Sequence, residues 1–325
     1  MTPFIFTSPA NIKQALAKKA KAVEFIAGGT NLIDLMKKNI EVPKELLDVT
    51  TLLQSNVESY DKGIRIGAMV RNSSIGSQDE IRSRFPLVAK AVLAGASPQI
   101  RNMASTAGNL LQRTRCPYFY DTSLPCNKRK PGSGCGALEG ENRMSAIVGY
   151  SEQCIAVHPS DLCVALVALD ANVLVTEKGG KQVVIPFKDF HRLPGTTPER
   201  DNNLPANGVI TAVEIPNNPF NKNFAYVKVR DRDSYAFALI SVAAALQLQN
   251  NNIVDVRLAS GGVAHKPWRW YKAEQFLKGK PPTAANFREA ANIAVTETKP
   301  LSHNGFKQLM LQGAIETALQ NCLTA

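Results

Sequence analysis

The chain has 325 residues, 44% hydrophobic and 20% charged, a composition that supports a packed core and excludes disordered, collagen-like and disulfide-scaffold classes. Its 38 Lys and Arg against 27 Asp and Glu give a formal charge of +11, which suits an anionic cofactor, an acidic partner or nucleic acid. The cations are scattered apart from short clusters at 18–21 and 128–130, so nucleic acid is not expected, and no apolar run reaches the ~18 residues of a membrane span.

Residues 1–55 read as alternating elements: strand 3–6, helix 11–20, strand 22–27, helix 31–38 and strand 45–48. A strand, GIRIGAMV, opens at 63, with helices expected at 75–81 and 87–94. Periodicity then fails over 112–152, where Pro117, Pro125 and Pro131 stand among Gly132, Gly134, Gly136, Gly140 and Gly149. A loop this long inside a compact protein is usually functional or disordered, and Tyr118, Phe119, Tyr120 and its cysteines argue against disorder. A helix at 162–168 follows, then the strands ANVLVTE and KQVVIPF around a Gly179–Gly180 turn, then strand 209–216. NNPFNKN suggests a boundary near 218–223. Beyond it come strand 223–230, helix 236–246, strand 253–260 and helices ending in 306–319. The division predicted is 1–220, with subdomains 1–55 and 56–220, and 221–325.

AGGTNL, residues 27–32, lies between an apolar strand and a helix. Paired glycines let backbone pass close to a ligand, and amides at a helix start favour an anion such as a diphosphate. Asn31 as a helix cap explains the same residues as a plain turn. ASTAGNLL, residues 104–111, is a second polar turn, offering Ser105, Thr106, Gly108 and Asn109 to a ligand or to local capping. In HPSD, residues 158–161, Ser160 or Asp161 caps a helix, or Asp161 accepts hydrogen bonds from ligand hydroxyls. His158 has no histidine near it in sequence and reads as structural. Lys228 is either a solvated strand lysine or a cation reaching a ligand across a domain cleft. Neither GxGxxG nor a P-loop occurs.

Four of the six cysteines crowd into 116–154. Cys116, Cys126, Cys135 and Cys154 have 9, 8 and 18 residues between them, without the CxxC knuckles of most structural zinc sites. A cubane iron-sulfur cluster, zinc, and disulfides or free thiols all remain open on spacing. Arg113, Arg115, Lys128, Arg129 and Lys130 would offset the negative charge of a thiolate cluster, or form a solvated surface. Cys163 and Cys322 read as packing residues.

In order, FIAGGTNLIDLM, ASTAGNLL, HPSDL, SYAFALISVAAAL and SGGVAHKP resemble the FAD-binding subunits of the xanthine oxidase family of molybdenum hydroxylases, over essentially the whole chain. QRTRCPYFYDTSLPCNKRKPGSGCGALEGENR resembles a cluster-bearing insertion found in the periplasmic aldehyde oxidoreductase branch. The resemblance implies an α+β fold: a two-part FAD-binding region of the vanillyl-alcohol-oxidase (PCMH) type, an iron-sulfur insertion at about 112–154, and a C-terminal sheet-plus-helices domain. It implies FAD bound through Phe25, Ile26, Ala27, Gly28, Gly29, Thr30, Asn31, Leu32, Ser105, Thr106, Gly108, Asn109, Ser160, Asp161, Ile210 and Lys228. It further implies a 4Fe-4S cluster on Cys116, Cys126, Cys135 and Cys154. This chain has Ala107 and Gly108 where many relatives have a Gly-Gly pair.

The function so implied is electron transfer from a large molybdenum-cofactor subunit and a small 2Fe-2S subunit, in a heterotrimer, to an external acceptor, with no catalytic acid-base pair in this chain. The alternatives are the corresponding subunit of a 4-hydroxybenzoyl-CoA reductase-type enzyme, a stand-alone flavin oxidase, and a basic zinc-binding, nucleic-acid-associated protein. The N-terminal sequence lacks the pattern of an export signal. Periplasmic location is therefore expected to depend on a partner's signal, with the cytoplasm as the alternative.

Overall fold

The computed structural model describes residues 1–233 and 235–324. The alternation at the start of the chain becomes a βαβαβ unit: β1 (Ile5–Thr7), α1 (Ile12–Lys18), β2 (Val23–Ile26), α2 (Leu32–Lys37) and β3 (Glu45–Asp48). Its strands are parallel in the order β1-β3-β2. Neighbouring residues of a strand face opposite sides, and Leu46 and Leu47 are both buried, so the central strand is covered on both faces as parallel sheets require.

The second unit is antiparallel. It opens with β4 (Val57–Tyr60) and β5 (Gly63–Gly67), followed by short helices α3 (Asn72–Ser77), α4 (Asp79–Arg84), α5 (Pro86–Ala94), α6 (Pro98–Met103), α7 (Thr106–Leu110) and α8 (Pro117–Tyr120). Then come α9 (Asp161–Ala168), β6 (Asn172–Glu177), β7 (Gln182–Pro186), α10 (Phe187–Phe190) and β8 (Gly208–Pro216). The sheet order is β4-β5-β8-β6-β7. The helix expected at 75–81 is two helices, because Gln78 is extended (φ −65°, ψ 120°), ending α3 and starting α4. Helix α9 is buried along its whole length, so it carries no polar stripe.

The third unit is β9 (Asn223–Val229), β10 (Ile240–Gln249), β11 (Asn252–Gly261), β12 (Trp268–Arg269), α11 (Tyr271–Leu277), α12 (Ala284–Thr296) and α13 (Phe306–Asn321). Its strands are antiparallel in the order β12-β11-β10-β9. The helix expected at 236–246 is thus corrected to a strand; Ser234, the first residue of that motif, lies outside the described residues. Val242, Ala244 and Leu246 pack with α11–α13, whereas Ala243 and Ala245 pack with α5 and α9. A strand buried on both faces is apolar at every position, and its two-residue period disappears from the sequence.

This double burial positions the site. Strand β9 lies across α5, carrying Lys228 to the first residue of α9. Among the described residues no helix is long and apolar enough to cross a membrane.

Candidate functional site

The 27–32 turn lies flat against the end of α6. A Cβ on Gly28 would stand 1.9 Å from the Met103 carbonyl oxygen, and Gly29 takes φ +70°, so both positions need glycine. Asn31 does not cap α2: its backbone is helical instead of extended, and its side chain makes no cap hydrogen bond. Its Oδ1 accepts from the Arg113 backbone N–H at 2.9 Å, which joins the turn to the cysteine stretch, while Nδ2 is buried without a partner. Phe25, Ile26, Ala27, Gly28, Gly29, Thr30, Asn31 and Leu32 wall a cavity of about 640 Å³, closed by Ser105, Gly108 and Ile210. Ser105 caps α7 by accepting from Gly108 N at 3.2 Å. The Thr106 hydroxyl donates to the Val70 carbonyl at 2.9 Å and so serves the turn.

A second cavity of about 680 Å³ shares Thr30, Asn31 and Gly108 with the first and adds Asn109, Ser160, Asp161 and Lys228. Here two turns distant in sequence meet: Ser160 Oγ donates to Asn109 Oδ1 at 2.5 Å while capping α9 through Cys163 N at 3.1 Å. Lys228 is not solvated. Its Nζ donates to Asp161 Oδ2 at 2.8 Å and to the Ala94 carbonyl at 3.0 Å, and Tyr226 donates its hydroxyl to Asp161 Oδ1 at 2.7 Å. Burial, then Asp161, pushes the Tyr226 phenol well above its ordinary value, so it stays a donor. Each cavity falls in the ~300–1,000 Å³ range of small-molecule sites. Asn31 Nδ2 and Asn72 Oδ1 are buried without partners among the residues of this wall. An unsatisfied amide costs about 1–3 kcal/mol, which an elongated polar ligand such as a dinucleotide would recover.

The cysteine stretch is ordered without a sheet or a long helix. Cys126 and Cys135 face each other in an isolated antiparallel bridge, and Ser151 and Cys154 form another. Gly132 and Gly134 take φ of +82° and +89° to close the turn between the first pair. Cys116, Cys126, Cys135 and Cys154 wall one small cavity, and all are free of disulfides. Burial pushes the Cys116 thiol up to about 11 and Cys154 to about 12, so any metal bound there displaces protons. Thiolates on one tetrahedral zinc stand about 3.8 Å apart, given Zn–S bonds near 2.3 Å. Among the described residues no three of these sulfurs lie within 4.8 Å of one another.

The cations beside this cavity are fasteners more than a charge cloud. Arg129 donates to the carbonyls of Tyr118 at 2.7 Å and Phe119 at 2.9 Å, and also to that of Leu124. Arg115 donates to the Tyr120 hydroxyl at 2.8 Å. Arg113 and Lys128 both reach Asp201, which sequence reasoning did not single out. Burial alone would raise the Asp201 carboxyl, but Lys128 and then Arg113 hold it well below the usual carboxylate range. From the third unit, Asn304 Nδ2 donates to the Ser145 and Ala146 carbonyls at 3.2 Å each, and Lys307 Nζ to the Met144 and Ser145 carbonyls at 3.1 and 2.9 Å.

His158, alone in sequence, packs against His191 with ring centroids 4.3 Å apart and the planes tilted by 59°. With Cys163 they are, among the described residues, the one trio of metal-capable side chains close enough to share an ion. Ser160 N–H donates to His158 Nδ1 at 3.4 Å, leaving the ring proton on Nε2; His191 Nε2 donates to the Leu110 carbonyl at 2.9 Å, leaving Nδ1 bare. The remaining nitrogens, His158 Nε2 and His191 Nδ1, are buried without hydrogen-bond partners, and burial holds His191 down to about 4 and His158 well below its ordinary value. This is a pair of neutral core rings.

Comparison with known proteins gives the family. Residues 2–218 match the FAD binding domain in molybdopterin dehydrogenase, and residues 224–321 match the CO dehydrogenase flavoprotein C-terminal domain. The aldehyde oxidoreductase FAD-binding subunit PaoB of Escherichia coli K12 is 47% identical over 304 residues, 93% of this chain and 92% of that protein. The glyceraldehyde dehydrogenase medium chain of Sulfolobus acidocaldarius is 28% identical over 86% of this chain and 82% of its own. A chain of carbon monoxide dehydrogenase from Hydrogenophaga pseudoflava shares the fold, with a TM-score of 0.77 at 20% identity, over 100% of this chain and 99% of that one. Matched by two family models along nearly its whole length, the chain belongs to the FAD-binding subunits of the molybdopterin dehydrogenases, oxidoreductases of the xanthine oxidase family.

Proposed function

We propose that this chain is the FAD and 4Fe-4S electron-transfer subunit of a molybdenum-dependent aldehyde oxidoreductase. Its partners are a large molybdenum subunit and a small 2Fe-2S subunit, and electrons leave to an external acceptor. The relative at 47% identity is an aldehyde oxidoreductase subunit, and the tetrad of unpaired sulfurs, Cys126 and Cys154 buried and Cys116 and Cys135 half-buried, is the donor set a cubane cluster requires. In this reading residues 25–32 with Ser105, Gly108 and Ile210 hold the dinucleotide's phosphates, Asn109, Ser160, Asp161 and Lys228 flank its flavin end, and residues 1–220 and 221–325 are the two domains. Bound FAD exchanges electrons singly or in pairs, and a 4Fe-4S cluster exchanges them one at a time.

The chain's own residues hold and separate these groups. Gly28 and Gly29 let backbone approach the ligand, and the Asp161–Lys228 pair places a fixed dipole on the wall of the second cavity. The thiolates of Cys116, Cys126, Cys135 and Cys154 supply the cluster ligands. One observation carries the reading. Cys116 lies on the wall of the sulfur cavity and also on that of a third cavity of about 290 Å³, which shares Ser160 and Asp161 with the 680 Å³ cavity. In this reading the two redox sites are neighbours, as electron transfer between them needs. Export on a partner's signal would place the assembly in the periplasm.

The test is iron and flavin content in the Cys126→Ser variant beside the unaltered chain. Iron falls sharply while most FAD stays bound, because the flavin walls do not include Cys126. Retention of all the iron contradicts the assignment.

A further inference from the structure

The sulfur cavity is enclosed by charge as well as by thiols. Lys128, two residues past Cys126, is 2% exposed and lines that cavity. Its ammonium donates to the Pro198 carbonyl at 2.8 Å and to Asp201 Oδ1. The other oxygen of the same carboxylate accepts from Arg113 Nε at 2.8 Å. Arg113 stands three residues before Cys116, reaches Glu41 Oε1 at 2.5 Å, and lies 4.7 Å from the Phe119 ring centroid. One partly buried carboxylate therefore grips both the arm that leads into Cys116 and the arm that leaves Cys126. His265 Nε2 approaches it at 3.9 Å, but burial holds that ring's pKa down to about 4, so it adds no charge near neutrality.

Lys128, Arg113, Asp201 and Glu41 together cancel to zero. A buried ion network is weak as a source of stability, because desolvation offsets most of the attraction and apolar packing seats a loop as firmly. What apolar packing does not supply is a fixed charge balance beside the sulfurs. One-electron reduction adds a negative charge to a thiolate-held cluster, so a nearby uncompensated cation favours the reduced form and a compensated one does not.

We propose that Asp201 is a positioning residue for the group held by the four cysteines: it seats two of their arms and, by cancelling Lys128, sets that group's reduction potential. The proposal rests on the reading of the cysteines as 4Fe-4S ligands given above. Removing the Asp201 charge leaves Lys128 uncompensated and moves the potential up. Removing the Lys128 charge leaves Asp201 paired with Arg113 and moves the potential down. A merely structural role gives no such opposition of sign.

The experiment uses the full chain prepared anaerobically, with iron analysis followed by a dithionite titration read by electron paramagnetic resonance. An upward shift in Asp201→Asn and a downward shift in Lys128→Met, relative to the unaltered chain, support the proposal. Potentials that stay at the unaltered value, or shift in the same direction in both variants, overturn it. Where Asp201→Asn loses its iron, Lys128→Met alone decides: a fall in potential supports the proposal, and no change overturns it. An unaltered chain without iron fails at the first step, which separates failure of the cluster reading from failure of this one.

Discussion

The two linked cavities and the cysteine stretch meet at Asn31 and Arg113, yet they are built in opposite ways. The cavities are framed by regular elements, with β2, α7, α9, β8 and β9 each delivering one to three wall residues. The cysteine stretch has one four-residue helix and is held from outside, by Asp201, Asn304 and Lys307. A frame made of sheets and helices keeps its shape whether or not its ligand is present. A stretch held by a few buried polar groups depends on each of them and on the group at its centre.

The sharpest way to break that contrast is Lys228→Met. Removing one partner of a buried ion pair leaves Asp161 uncompensated and costs about 3–5 kcal/mol, so the denaturant midpoint falls and flavin binding weakens while iron content stays. An unchanged midpoint would mean that the second cavity does not depend on this pair. Gly28→Ala comes next. Its Cβ meets the Met103 carbonyl and forces the turn off α6 at about 1–3 kcal/mol, and FAD occupancy drops with iron unaffected. Loss of both cofactors together would mean that the two regions are one cooperative unit.

The smallest effect is a pH slope carried by the cysteine stretch's own tether. Burial, then Arg143, holds the Lys307 amine down to about 7, against about 10.4 in an unfolded chain. Between pH 7 and 10 the unfolded state binds more protons than the folded one, so stability rises with pH across that window and the penalty is fully present below it. The three carbonyls that accept from Lys307 oppose the shift, so the gain across the window is about 1–2 kcal/mol instead of the ~4–5 kcal/mol that ~1.4 kcal/mol per unit would give. Denaturant midpoints at about pH 7 and 10 measure it, and Lys307→Met abolishes it.

Much of the frame was legible because local rules and tertiary outcome agree. The strand at Glu45–Asp48 stands where its pattern put it, and the Gly179–Gly180 turn joins β6 to β7 with both glycines at positive φ. Legibility ended where burial erased the pattern, as in β10, whose two apolar faces read as a helix. It ended too where partners are distant in sequence. Sequence left Lys228 open between a solvated lysine and a ligand-facing cation because its partner Asp161 is 67 residues away, His158 looked solitary because His191 lies 33 residues on, and nothing near Asp201 announces Lys128 or Arg113. The turn at 27–32 showed its need for glycine but not that Asn31 binds the Arg113 backbone. The crowding of cysteines was visible, and their shared cavity was not.

Cofactor stoichiometry tests the central claim most directly. The chain, expressed and purified under anaerobic conditions with iron, sulfide and FAD supplied, is assayed for iron, zinc and flavin. The account predicts about four iron atoms and one FAD per chain, with negligible zinc. A chain that holds flavin but only zinc, or no metal at all, contradicts it.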